Sequence, residues 1–220
     1  MTKNQPVIPI AIVGMAGTFP GALNIAEFWQ NIVQAKSSIT KVPKHRWPES
    51  YFDPSSSQAH KFYARQGGFI DAYAQFEALR FGVMPRSAEG AEPDQLMTLQ
   101  ICAEALEDAG YAPKLSELGQ RGRDFDRKNC EVIIGRGGYI GPAMNALNLR
   151  VRTVEQLGAL IHKKSWLSPE QIKILQEEIL AEVRPFGPDT AIGLVPNLCA
   201  SRVADRLALG GAAYTIDAAC

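Results

Sequence analysis

Apolar positions along the chain change period several times, and each change marks an element. Val7 to Gly14 is nearly continuous in aliphatics, the pattern of a strand covered on both faces. The string GTFPGA then reads as a turn, and Asn24 with Glu27 three residues on is a capping-box pattern. The helix it opens carries Phe28, Trp29, Ile32 and Val33 on one face. From Ser37 to about Arg65 the periodicity dissolves into Ser, Pro, His and aromatic residues, predicting a long surface excursion, and Gly67, Gly68, Phe69 and Ile70 give a short return to order. A strong helix follows in DQLMTLQICAEALEDAG, opening near Asp94 after Pro93 and closing on Gly110 as a left-handed residue. Leu96, Met97, Leu99, Ile101, Ala105 and Leu106 make it apolar on nearly all sides, which predicts a central helix.

After the polar link GQRGRDFDRKN, the string CEVIIG reads as a second strand. Ser168-Pro169-Glu170-Gln171 starts an amphipathic helix with a seam of Ile172, Leu175, Ile179, Leu180 and Val183, stopped by Pro185. Asn197 to Leu209 is a small-residue helix ending at Gly210-Gly211, and AAYTID is a strand. Strands alternating with helices predict an α/β sheet.

Composition narrows the class. The 220 residues are enough for one large or two small domains, and 46% hydrophobic with 21% charged residues is the make-up of a packed protein. Lys plus Arg equals Asp plus Glu at 23 each, so no net field draws the chain to nucleic acid or to an anionic membrane. No stretch approaches the roughly 20 apolar residues needed to cross a bilayer. The start MTKNQPVIPIAIVGMAG is too weakly basic for a signal peptide, and a cytoplasmic location is expected.

Candidate chemistry centres on sulfur. Cys102, Cys130, Cys199 and Cys220 lie far apart with no C-x-x-C and no His at ligand spacing, which argues against zinc and against a disulfide framework. Cys102 and Cys199 fall in apolar helical patterns and Cys130 opens a strand, so all three are expected to be small buried hydrophobes. Cys220 differs because GGAAYTIDAAC reads as a strand running into a small-residue turn that presents a thiol. Along that strand Asp217 and Thr215 should share a face, with Asp217 hydrogen-bonded near the turn and not paired with Cys220 as a dyad. The basic cluster Lys41, Lys44, His45 and Arg46 reads first as a solvated loop, with docking of an acidic partner as the alternative.

Several phrases together carry a family resemblance: IAIVGMAGTFPGA, VPKHRW, KFYARQGGFID, EPDQLMTLQICAEALEDAGY, ASRVADRL and GGAAYTIDAAC. In content and order they resemble the N-terminal half of a β-ketoacyl synthase of the type I polyketide and polyunsaturated-fatty-acid synthase class, from about Val7 to Cys220. The resemblance implies a thiolase-like fold layered α-β-α-β-α, of which residues 1–220 are the N-terminal domain, truncated at the nucleophile. It implies 3-oxoacyl synthase chemistry in fatty acid or polyketide biosynthesis. Cys220 would be the catalytic acyl acceptor, activated by the N-terminus of a following helix. No cofactor would bind directly; substrates would ride on the phosphopantetheine of an acyl carrier protein. A homodimer through strand 212–217 is implied as well.

The same resemblance places two histidines, a lysine and a glycine-rich turn beyond Cys220, and His45, His60 and His162 all lie upstream in stretches read as surface. The chain alone is therefore expected to be inactive and prone to aggregate, with an uncovered apolar face. Alternatives are a catalytically incompetent ketosynthase-like fragment that acts as a dimerisation module, and, more remotely, a thiolase or Cys-protease relative. GRGGYIG lacks both the G-x-G-x-x-G spacing and a clear helix start, so it reads as a turn over a tunnel mouth and not as a phosphate loop; close strand–helix packing likewise explains GMAG.

Overall fold

The computed structural model describes residues 9–112, 122–137 and 141–217. They form two compact units, one of residues 9–75, 101–112 and 122–123, the other of 76–100, 124–137 and 141–217.

In the first unit the expected opening strand does not form. Val7 and Ile8 lie outside the described residues, residues 9–14 take no strand pairing, and Ile10 and Ile12 are 93% and 81% exposed. A strand of continuous aliphatics is held by a ladder on each edge and cover on each face. Among the described residues no strand runs beside this one. What does fix the segment is Gly14, where a Cβ would stand 2.3 Å from the Ala105 carbonyl oxygen. Only glycine allows that approach to a helix, so GMAG is indeed a packing feature. Next to it the Met15 N–H donates to Asp108 Oδ2 at 2.8 Å.

Helix α1 (Ile25–Val33) starts as its cap predicts, with the Glu27 N–H donating to Asn24 Oδ1 at 2.9 Å. The Glu27 carboxylate returns to the Leu23 N–H at 2.8 Å, one residue before the cap, so the reciprocal bond is displaced from the usual box. Phe28 stacks on Phe19 with centroids 4.0 Å apart, but Trp29, Ile32 and Val33 stay exposed and the predicted apolar face is covered only in part.

The excursion after Ser37 is more ordered than its composition suggests. Strand β1 (Ile39–Lys41) pairs antiparallel with β2 (Gln66–Gly68), Ile39 opposite Gly68 and Lys41 opposite Gln66. Within the loop, Trp47 meets Phe62 edge-on at 4.8 Å, and the Arg65 guanidinium lies 3.8 Å over the Phe52 ring. Asp71 clasps the basic cluster: Arg46 donates from Nε and Nη2 at 3.1 and 2.8 Å, and His45 Nε2 lies 2.9 Å away. The bonds from Arg46 first, and from His45 second, hold the Asp71 carboxyl well below its usual 3.8, at about 2.

In the second unit, helix α2 (Pro85–Gly90) leads into α3 (Pro93–Asp108), which passes into the first unit at Ile101. Gly110, at φ +77°, ends α3 as predicted: the Tyr111 N–H reaches the Leu106 carbonyl in a Schellman closure. Leu99 and Gln95 are fully buried, and Ile101, Ala105 and Leu106 half-buried, so the helix is central along one face and not all round. Strand β3 (Val132–Gly135) is followed by a long helical run: α4 (Pro142–Asn148), a π-helical stretch Leu149–Glu155, and α5 (Gln156–Lys163). Helix α6 (Pro169–Glu182) packs beside α5, and Gln176 Nε2 donates to the Val154 carbonyl in the π stretch at 3.3 Å. Short α7 (Pro188–Gly193) precedes α8 (Leu198–Arg206) and β4 (Ala213–Ile216). Strand β4 runs parallel to β3, Val132 opposite Ala213 and Gly135 opposite Ile216, and α8 covers both strands through the buried Cys199, Ala200, Val203 and Leu207.

Two cysteines depart from expectation. Cys199 is buried, but Cys102 and Cys130 are only half-buried. Among the described residues no helix is long and apolar enough to cross a membrane.

The α6 start has the full reciprocal box, Gln171 N–H to Ser168 Oγ at 3.3 Å and Ser168 N–H to Gln171 Oε1 at 2.9 Å. Ser168→Ala should therefore lower stability by about 1 kcal/mol, and Ser168→Thr by much less; urea midpoints of the two variants check this. The Asp71 clasp has a depressed folded pKa, so its contribution is complete above about pH 3.8 and is lost as pH falls through about 2. Amide exchange across residues 42–65, corrected for intrinsic rates, should stay protected at pH 4 and open towards pH 2, and Asp71→Asn should open it at both.

Candidate active site

The parallel pair of β3 and β4 ends in a cleft of about 400 Å³ lined by Arg136, Gly141, Met144, Gly193, Thr215 and Asp217 among others. Open α/β sheets place ligands at the carboxyl ends of their strands, and this cleft lies there. Register is kept to the last residue: the Arg136 N–H donates to the Ile216 carbonyl at 3.0 Å. Thr215 and Asp217 both line the cleft, as their spacing of two requires.

Three polar contacts shape its walls. Glu92, only 3% exposed, lies between two glycines: a Cβ on Gly141 would fall 1.9 Å from its Oε2, and one on Gly193 would fall 2.4 Å from its Cγ. Its Oε1 accepts the Ala143 N–H, in the first turn of α4, at 2.6 Å. Arg136 pairs through Nε with Asp94 in the first turn of α3, and its side chain is 16% exposed. Burial pulls the Arg136 guanidinium down, but the Asp94 bond and charge outweigh it and the net direction is up, so the group stays charged. Asn197, the cap of α8, accepts the Thr215 N–H at 3.1 Å and donates to Ser201 Oγ at 3.1 Å. That bond ties the last strand to the helix beside it, on the side away from β3.

GRGGYIG needs a correction here. It does run into a helix start, since α4 begins at Pro142 directly after Gly141. The first-turn N–H that a phosphate would use is instead taken by the Glu92 carboxyl. Residues 138–140 of that string, on which the reading as a turn over a tunnel mouth rests, lie outside the described residues. Glu92 was missed altogether, since its partner Ala143 lies 51 positions away in the sequence.

Cys220, with Ala218 and Ala219, lies outside the described residues. Two of the other thiols, Cys199 and Cys130, make poor nucleophiles. Burial raises the Cys199 thiol above its ordinary value despite the Thr98 hydrogen bond, and burial raises Cys130 despite nearby Arg127. His45, His60 and His162 are all exposed, as expected, and none lines this cleft.

Comparison with known proteins gives the same picture. The family model for the β-ketoacyl synthase N-terminal domain matches residues 8–220. The polyketide synthase PksL of Bacillus subtilis is 36% identical over 134 residues, 60% of this chain and 3% of that protein. The PKS-NRPS hybrid synthetase ATPKS of Aspergillus niger is 28% identical over 213 residues, 96% of this chain and 9% of its own length. The chain thus spans a small fraction of these relatives. Among solved structures, the ketosynthase from module 6 of the bacillaene synthase of Bacillus subtilis is similar with a TM-score of 0.60 at 28% identity, covering 94% of this chain and 26% of that one. The oxazolomycin ketosynthase domain of Streptomyces albus, at 23% identity and TM-score 0.61 over 94% of this chain and 29% of its own, supports the fold alone. With a family match over nearly its whole length, this chain belongs to the β-ketoacyl synthase family, as an N-terminal domain of thiolase-like α/β fold.

Proposed function

We propose that this chain supplies the acyl-accepting half of a β-ketoacyl synthase within a longer multidomain polyketide-type synthase, with Cys220 as the nucleophile. The observation that carries this reading is the family match through residue 220 together with strand β4, whose end lines a shaped cleft at Thr215 and Asp217, the latter three positions before that cysteine in sequence. The thiolate of Cys220 attacks the carbonyl carbon of an acyl thioester on the phosphopantetheine of an acyl carrier protein. The carbon–sulfur bond to pantetheine breaks, the pantetheine thiol leaves with a proton, and an acyl-Cys remains. Malonyl carrier then loses carbon dioxide, its enolate carbon attacks the acyl-Cys carbonyl, and the Cys220 thiolate departs from a 3-oxoacyl thioester two carbons longer. The Cys220 N–H would be one donor to the oxyanion. The histidines, lysine and second donor belong to the partner half of the family's fold.

A cytoplasmic location and a homodimer through strand 212–217 accompany this reading. Tyr214 and Ile216 are 40% and 46% exposed, which leaves apolar surface for a second copy. The Thr215 N–H is already engaged by Asn197, so pairing with a twin would use the strand's other groups.

The test uses the full synthase. Cys220→Ala should reduce transfer of radiolabelled acyl groups from carrier to enzyme to background, with an unchanged thermal melt. Undiminished labelling of that variant removes the assignment.

A further inference from the structure

A second concavity lies in the first unit, unrelated to the strand-end cleft. It measures about 620 Å³, its lining includes Trp47, Phe52 and Phe62, and Lys41, Lys44 and Arg65 stand at its rim. The chain as a whole is neutral, yet residues 36–65 hold six Lys and Arg against only Glu49 and Asp53. The positive charge is thus gathered on one loop.

Not all of that charge is available. Asp71 holds His45 and Arg46, and Glu49 lies 3.2 Å from Arg65. Among the described residues no ion pair engages Lys41 or Lys44. Cationic groups are therefore divided into a set that fixes the loop and a pair left at the lip of an aromatic hollow. The β1–β2 ladder holds Lys41 in place, and the Trp47–Phe62 edge contact and the Arg65–Phe52 stack keep the hollow from collapsing.

We infer that this hollow docks an acidic protein surface, in which carboxylates bracket one projecting apolar side chain, and that this surface is on the carrier domain that delivers acyl groups to the site. The identity of the partner rests on the proposed function; the chemistry of the surface does not. An apolar side chain fits a hollow of this volume walled by Val42, Pro43 and the aromatic rings. Rim lysines add steering and register more than raw affinity. A single-stranded nucleic acid fits less well. Its bases need open ring faces for stacking, whereas Trp47 and Phe62 are locked in an edge contact and one face of Phe52 is covered by Arg65.

The experiment compares two acyl donors on the full synthase: acyl-carrier protein, and the same acyl group on free pantetheine. In Lys41→Glu/Lys44→Glu, KM for the carrier-borne donor should rise about tenfold, with a flatter dependence on ionic strength. Both kcat and all constants for the pantetheine donor should stay unchanged, and Lys41→Arg/Lys44→Arg should behave as the parent. An unchanged carrier KM overturns the docking surface. Equal losses with both donors also overturn it, since they show damage to the fold or the site. Cys220→Ala runs alongside: if it abolishes transfer from both donors while charge reversal changes nothing, docking falls and the nucleophile stands. If it transfers normally, the proposed function itself falls.

Discussion

The buried carboxyl of Glu92 is the constraint on which the strand-end cleft depends. It sits at the join of α2 and α3, takes an N–H from the first turn of α4, and lies against Gly193 at the end of α7. Three separate segments thereby share one side chain. A buried carboxyl is tolerable only when hydrogen-bonded, so the α4 start and the α3 start cannot shift independently. Both glycines are needed because the backbone passes within a side chain's width of that carboxyl. The cleft is thus shaped by backbone that has been brought close, and its lining is correspondingly poor in bulky residues on that wall.

Around this join the two strands behave as a rigid floor. Their ladder runs without interruption from Val132 to Ile216, and α8 covers it with Cys199, Ala200 and Val203, each 1% exposed or less. Small residues let the helix lie close to the sheet, where larger ones would hold it off. Asn197 then engages one outward donor of β4, the Thr215 N–H, and ties the strand to α8.

Much of this was legible in the sequence, and the exceptions have common causes. Caps were read correctly at Asn24 and Ser168, and the closure at Gly110, because each depends on groups within five residues of one another. The strands CEVIIG and AAYTID were read correctly because β-branched and aromatic residues lie between turn signals. The opening strand failed because its stability lies wholly in neighbours that a local pattern does not contain. Glu92 and the helix after GRGGYIG were missed for the same reason: the contact joins residues 51 positions apart. The excursion from Ser37 was misjudged in the other direction. Its Pro and Ser content looked irregular, while Asp71 and Gly68, beyond its end, supply the clasp and the ladder.

Thiol chemistry in a chain with four cysteines demands selectivity, and burial provides part of it. An electrophilic thioester reacts with thiolate, so a thiol whose pKa is raised presents less of the reactive form at neutral pH. Cys199 and Cys130 are both shifted that way, each by removal from water more than by any neighbouring charge. At Cys199 the closing of α8 on the sheet is itself the protecting event, so the packing that steadies the strand also silences the thiol beneath it. Under the proposed function, selectivity for Cys220 would call for the opposite shift there, of the kind a helix N-terminus confers.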